Sequence, residues 1–384
     1  MMPKIYFDNN ATTPLAPEVA AAMAISLKEN FGNPSSGHAL GEEARRAVEE
    51  GRERVAALLH CASERLVFTG GGSEANCQAI LSAVLARPRA HKIVTSAVEH
   101  PSVQQPLNFL EKHHGYQIQR LPVDAAGRLD SARLRAALSE DTALVSLMAA
   151  NNETGVLWDL AELGAICRER GVLFHCDAVQ LAGKEELRAE EWPVDYLSLA
   201  AHKLHGPKGC GALYLARTAP VTPLIMGAGQ EGGRRAGTEN VAGIVGFGLA
   251  CELAAAHLAG GGREKLAVLG RKLEAGIRDC CPGALINGGE APRLANTINV
   301  SFEYCSSAQM IQDLDDRGFA VSAHAACHGG DLDPSPVLAA MAVPESYRHG
   351  TLRISLSRLN SEAEVAAFLA VLPEVVRRSR QVFV

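Results

Sequence analysis

Between residues 66 and 215 short apolar runs alternate with longer stretches of helical spacing, and this pattern limits the fold more than any other feature. The short runs lie at 66–69, 92–95, 143–147, 172–175, 196–199 and 211–215. None has the in-out polar alternation of a strand with one wet face. Strands buried on both sides belong to a mainly parallel sheet with helices over each face. The segments between them, 73–85, 102–113 and 160–170, are predicted helices. Upstream, Ala44, Ala47, Val48, Val55, Leu58 and Leu59 fall on one helical face, with charges opposite.

A long helix is predicted over 240–256, with a hinge at the glycines 260–262. Beyond them come a helix at 266–278, an alternating strand at 297–302, a helix at 309–317, a strand at 352–356 and a closing helix at 362–378. This reads as a smaller α+β domain, which a chain of 384 residues accommodates. The apolar stretch 241–260 is broken by Glu252 and His257, so it reads as a buried helix rather than a membrane span. A net charge of −6 with scattered basic residues gives no reason to expect nucleic acid or an anionic membrane as partner. The first residues lack a basic region followed by an apolar stretch, so no secretory signal is expected. Ten dispersed cysteines without a CxxC pair fit reduced thiols and a cytoplasmic setting, and no metal site is expected.

Chemistry concentrates in three places. Thr69-Gly70-Gly71-Gly72-Ser73-Glu74 joins a strand to a helix, where free amides and the positive dipole end make a phosphate cradle. Asp177 follows a buried strand, at the edge where open α/β sheets place ligands, and Gln180 is close behind it. Lys203 follows the next strand, beside His202. A lysine holds pyridoxal phosphate as an imine, and a carboxylate keeps its ring nitrogen protonated. Taken singly, each residue also has a plain structural reading: a turn, a helix cap, a solvated amine. Gly227-Ala228-Gly229-Gln230-Glu231-Gly232 matches GxGxxG, but no strand precedes it and no helix start follows, so a nicotinamide site is rejected.

Further motifs extend over nearly the whole chain. Tyr6-Phe7-Asp8-Asn9-Asn10-Ala11-Thr12-Thr13-Pro14, Gly32-Asn33-Pro34-Ser35-Ser36, Glu99-His100-Pro101-Ser102-Val103 and Asn151-Asn152-Glu153-Thr154-Gly155 are four of them. With the run from Gly229 to Asn240, they resemble the NifS/IscS-type cysteine desulfurases. The resemblance implies a fold-type I pyridoxal-phosphate transferase, α/β, with a mainly parallel seven-stranded sheet. It implies a large cofactor domain at 15–258 and a small α+β domain at 1–14 and 259–384, which carries Cys327. By the same resemblance His100 stacks on the cofactor ring and moves protons, while Asn152 and Gln180 meet the ring oxygen. Asp177 meets the ring nitrogen. Gly72, Ser73, His202 and, from a second subunit, Thr238 line the phosphate pocket. Arg353 grips the substrate carboxylate, with Asn33 nearby.

Cys327 matches the family nucleophile, on a stretch whose length resembles the long-loop class. The expected reaction converts L-cysteine to L-alanine, leaving a persulfide on Cys327 for transfer to an acceptor, either an iron–sulfur scaffold or a sulfur carrier. A homodimer is expected. The chain departs from the usual pattern where His324-Ala325-Ala326-Cys327-His328 stands for Gly-Ser-Ala-Cys, and Ala200 for a phosphate-binding serine. These departures also resemble selenocysteine lyases, the alternative reading. A plain aminotransferase has no use for Cys327, and a scaffold without cofactor predicts a colourless protein.

Overall fold

The structure, a computed structural model, describes residues 5–323 and 335–380. Strand β1 (Ile5–Tyr6) leads into helices α1 (Pro17–Glu29) and α2 (Ala39–Leu59). Alternation then begins with β2 (Leu66–Thr69), α3 (Gly72–Ala86), β3 (Lys92–Ser96), α4 (Pro101–His114) and β4 (Gln117–Leu121). It continues through α5 (Ser131–Ala137), β5 (Thr142–Met148), α6 (Leu160–Glu169), β6 (Leu173–Asp177), β7 (Tyr196–Ala200) and β8 (Gly211–Leu215).

These strands form one sheet in the order β2-β8-β7-β6-β5-β3-β4, parallel except that β8 runs against both its neighbours. The six apolar runs expected from sequence are six of its strands. The seventh, β4, escapes the same reading because Gln117-Ile118-Gln119-Arg120-Leu121 alternates. It lies at the sheet edge, where only Ile118 and Leu121 are buried.

Helices α7 (Val241–Ala259) and α8 (Gly262–Cys280) meet at Gly261, whose φ of 72° ends one helix and starts the next. The expected hinge is therefore a tight corner, and the second helix begins four residues before its first apolar residue. Helix α7 is long and apolar enough to cross a membrane, but half of it is buried here, packed on α1 and α2. Its contact with α2 is close enough that a methyl on Gly248 would sit 2.7 Å from the backbone of Gly51.

The rest of the chain gives β9 (Leu285–Ile286), β10 (Thr297–Ser301), α9 (Ser307–Asp316), β11 (Phe319–Ala320), α10 (Pro336–Ala340), α11 (Glu345–Arg348), β12 (Thr351–Ser355) and α12 (Glu362–Arg380). Strands β12-β10-β9 form an antiparallel sheet, and β1 pairs with β11. Phe7 is buried in this second core, edge-on to Phe368, which anchors the amino-terminal segment beside residues 269–376. Strand β10 alternates, yet all five of its residues are buried. Its polar face turns inward: Thr297 Oγ1 accepts from Asn10 Nδ2 at 2.9 Å, and Asn299 Nδ2 donates to the Glu153 carbonyl at 3.2 Å. That face is the seam where the site lies.

Candidate active site

Three parallel strands end side by side, with Met148 of β5 opposite Asp177 of β6, and Asp177 opposite Ser198 of β7. One short 3-10 turn past β7, Ala201–Lys203, delivers Lys203 to the same edge. Helix α3 points its amino end there too. A Cβ on Gly72 would lie 2.7 Å from Val179 and 3.5 Å from Ala200, so only glycine lets the helix start settle between the two strand ends. Gly71 precedes it at φ 150°, and Ser73 stands exposed on the first turn.

Asp177 is held from two directions. Its Oδ1 accepts the Val179 N–H at 3.0 Å and its Oδ2 accepts Asn76 Nδ2 at 2.8 Å. Asn76 also donates to Ser102 Oγ at 2.9 Å, and that hydroxyl lies 2.7 Å from His100 Nδ1. The Ser102 N–H donates to the same Nδ1 at 3.1 Å, since His100 caps α4. A nitrogen that accepts a backbone N–H carries no proton, so the ring proton of neutral His100 is assigned to Nε2. Directly before it, Glu99 is buried, and loss of hydration pushes its carboxyl up to about 8 despite donors from Ser96 and Met148.

Asn10 is the hub on the other side. Lys203 Nζ donates to its carbonyl at 2.5 Å and to that of Ala11 at 2.9 Å. Gln180 Nε2 donates to the Asn10 carbonyl at 2.9 Å, and Gln180 Oε1 accepts from Lys184 at 2.7 Å. Asn10 Nδ2 reaches the Asn152 carbonyl, which also accepts Arg353 Nη1 at 3.1 Å. Arg353 comes from β12, is 1% exposed, and pairs with Asp8 at 2.8 Å. Its Nε is buried and has no hydrogen-bond partner among the described residues. His202 leans on Thr12 at 3.1 Å; burial, then Lys203 and Lys208, lower its pKa to about 4, so it is neutral near pH 7.

Of the residues singled out from sequence, Gly72, Ser73, His100, Asn152, Asp177, Gln180, His202, Lys203 and Arg353 gather on this edge. Asn33 and Thr238 do not join them within one chain. Asn33 is exposed, its Oδ1 taken by the Ser35 N–H, and the adjoining Pro34 and Ser35 line a hollow with Gln230 and Glu239. Thr238 is also exposed and lines a neighbouring hollow with Thr69 and Gly70, the outer approach to the glycine turn. Cys327, with His324 and His328, lies outside the described residues. The flanking chain is described: Ser322 pairs with Arg353 through both backbone groups, and Ser335 Oγ donates to Glu153 at 2.5 Å. Sequence reading missed Asn10, Asn76, Ser102 and Lys184. Asn76 sits one turn along α3 from Gly72, so helical spacing was the available signal there; Lys184 lies in a series of turns after β6, where spacing gives none.

A mainly parallel seven-stranded sheet carrying a carboxylate and a lysine on adjacent strand ends is the fold-type I architecture of pyridoxal-phosphate enzymes. The chain belongs to the Aminotransferase class-V family, whose model matches residues 5–368. It is 44% identical over 380 residues to a cysteine desulfurase of Enterobacter agglomerans, covering 99% of this chain and 94% of that one. It is 46% identical to a cysteine desulfurase of Cereibacter sphaeroides, with 99% and 97% covered. Among solved structures, a NifS-like protein superposes with a TM-score of 0.90 at 35% identity, covering 98% of this chain and all of that one. A NifS-like protein from Rickettsia africae gives 0.87 at 31% identity, with 97% and 99% covered.

Proposed function

We propose that the chain is a cysteine desulfurase that uses pyridoxal 5'-phosphate, converts L-cysteine to L-alanine and collects the sulfur on Cys327. The observation that carries this reading is the connected set of hydrogen bonds running from His100 through Asp177, and from Lys203 through Asn10 and Asn152 to Arg353. The residues fit the cofactor. A glycine-lined helix start offers free amides to a phosphate, Asp177 offers an anionic partner to a ring nitrogen, and Lys203 offers the amine. When bound, the cofactor supplies an electron sink for the substrate's Cα–H bond.

Lys203 takes up the Cα proton and returns it during the reaction. Arg353 binds the substrate carboxylate, and its unpartnered Nε is a donor already desolvated for that purpose. His100 would face the bound ring, and with Nδ1 taken by Ser102 its Nε2 is the atom that would first give up its proton and then take one from the substrate thiol. The Cys327 thiolate forms a bond to the substrate sulfur while the Cβ–S bond breaks. Its electron pair stays on carbon, which takes a proton to become the alanine methyl group. Cys327 lies four residues past Ala323, and a chain of that length reaches at most about 14 Å. Ala323 itself follows the Ser322–Arg353 pairing, which supports delivery of the thiol to this pocket.

The exposed positions of Asn33 and Thr238 suit a homodimer in which Thr238 completes the partner's phosphate site. The acceptor of the persulfide is a thiol on an iron–sulfur scaffold or a sulfur carrier, and the setting is cytoplasmic.

The test measures alanine and sulfide formed from L-cysteine with reductant present, for cofactor-loaded wild type, K203A and C327A. Wild type should turn over, K203A should lose at least about a thousandfold, and C327A at least about a hundredfold. Borohydride should fix the chromophore to wild type and not to K203A. Absence of alanine from L-cysteine with the loaded wild type rejects the reading. L-selenocysteine as a second substrate separates the lyase alternative, which retains turnover in C327A.

A further inference from the structure

Asn10 carries two lysines. Lys203 reaches its backbone oxygen at 2.5 Å, and Lys184 reaches its side-chain Oδ1 at 3.0 Å. Lys184 is not part of the chemistry outlined above. Its other contact is Gln180 Oε1 at 2.7 Å. Gln180 in turn gives an Nε2 proton to the Asn10 carbonyl, which can only accept. The two contacts agree on one orientation of the amide: oxygen toward Lys184, NH2 toward Asn10 and the pocket. One Nε2 proton remains for an anionic oxygen. Without Lys184, the amide oxygen loses the donor that holds it.

No carboxylate among the described residues pairs with Lys184. Burial, followed by the positive charges of Lys203 and Arg353, drives its pKa well below the lysine range. Behind the two lysines a small cavity is lined by His205, His257, Arg263 and Arg358 as well. The acids around it are engaged: Asp8 pairs with Arg353, Glu185 with Arg263, and Asp177 is held by Asn76. Coupling between two titrating amines is mutual, so a proton on Lys184 disfavours one on the Lys203 nitrogen by as much as the reverse.

We propose that Lys184 is a positioning residue for the Lys203 centre: it fixes which end of Gln180 faces the pocket and, as the second amine on Asn10, keeps the Lys203 nitrogen ready to release its proton. This rests on the cofactor reading given above. The experiment titrates the visible absorption of the pyridoxal-phosphate-loaded chain from mild acid to mild alkali. Far-ultraviolet circular dichroism checks the fold of each variant. K184Q and K184M should raise the midpoint of the absorption change by about one pH unit, while K184R stays near wild type. The same neutral variants should bind the cofactor about tenfold more weakly, because Gln180 is then free to turn.

Neutral variants that load normally and titrate with the wild-type midpoint overturn the proposal. If neither neutral variant folds, the smaller K184A, which leaves room for water in place of the amine, must raise the midpoint in the same direction; an unchanged midpoint there is equally fatal. A wild type that takes up no chromophore removes both this proposal and the reading beneath it. That result is distinct, since wild type and variants are then alike in being colourless.

Discussion

Two polar rows cross the same face of the sheet, one strand position pair apart, and they behave differently. In the inner row His175 of β6 lies opposite Ser146 of β5 and reaches diagonally to Ser198 of β7, at 2.8 and 3.0 Å, with no exposure. Both ring nitrogens are satisfied. Burial lowers its pKa to about 4, so the ring stays neutral. Two residues on, Asp177 begins the outer row at the strand end, still 7% exposed. Polar valence is left over in this row: among the described residues neither Oδ1 of Asn76, which holds Asp177, nor Nε of Arg353 has a partner, and both are buried. Buried polar atoms are almost always paired, so a cluster of unmet ones marks where a ligand belongs. Unmet atoms also occur elsewhere, at Ser26 Oγ and Asp313 Oδ2 for example, so polarity and incompleteness mark the site only where they meet Asp177, Lys203 and Arg353.

The sharpest way to break this contrast is at Arg353. Its guanidinium spans the Asn152 carbonyl and Asp8 through Nη1 and Nη2 and keeps Nε, among the described residues, for substrate. R353K keeps the charge but has one nitrogen to serve all three. The expected loss is about a thousandfold in kcat/KM for L-cysteine, with far less change in thermal stability than a deletion of the side chain would cause. Steady-state kinetics and a melting curve measure both. An R353K enzyme with full activity would make Arg353 part of the scaffold.

His175 tests the other row. A base whose folded pKa lies below its unfolded value stabilises the fold while it is neutral, and that stability is lost as protons are forced onto the unfolded state alone. With values of 6.5 unfolded and about 4 folded, stability should fall as pH drops through that window. The slope is about 1.4 kcal/mol per pH unit, or about 3 kcal/mol in all. His202 and His205 share this direction, so the measurement is a difference. Urea unfolding of wild type and H175N across the window should show the variant's slope smaller by one proton. Equal slopes would mean that His175 is hydrated or charged in the native state.

The inner and outer rows were not equally legible in the chain. Asp177 and Lys203 stood out because each ends an apolar run, where a charge is conspicuous. His175 sits inside such a run and gave no sign of its two serines, which lie 29 residues before it and 23 after it. Asn10 belonged to a diagnostic motif, yet its part as hub depends on Gln180 and Lys184, Thr297, and Ser355 arriving from three other segments. Strand pairing brings such residues together, and local spacing cannot encode it. The small sheet posed the opposite problem. Its alternation was visible, but alternation says only that one face is polar, not that this face is dry.

That ambiguity makes β10 the place for the subtlest test. Asn299 is fully buried, gives Nδ2 to the Glu153 carbonyl and takes Asn287 Nδ2 at 2.7 Å on its Oδ1. If the seam is dry, N299A strands a carbonyl on one side and an amide on the other, costing about 2 kcal/mol. If water enters the seam, it replaces both partners and the loss shrinks to a few tenths. The two cases also differ in function. Glu153 follows Asn152, whose carbonyl receives both Asn10 and Arg353. A dry seam therefore transmits the loss to the substrate carboxylate, and KM for L-cysteine should rise about threefold with kcat nearly unchanged. Chemical denaturation and KM, measured on the same preparation, decide between the cases. A stability loss with no change in KM would confine Asn299 to holding the two cores together.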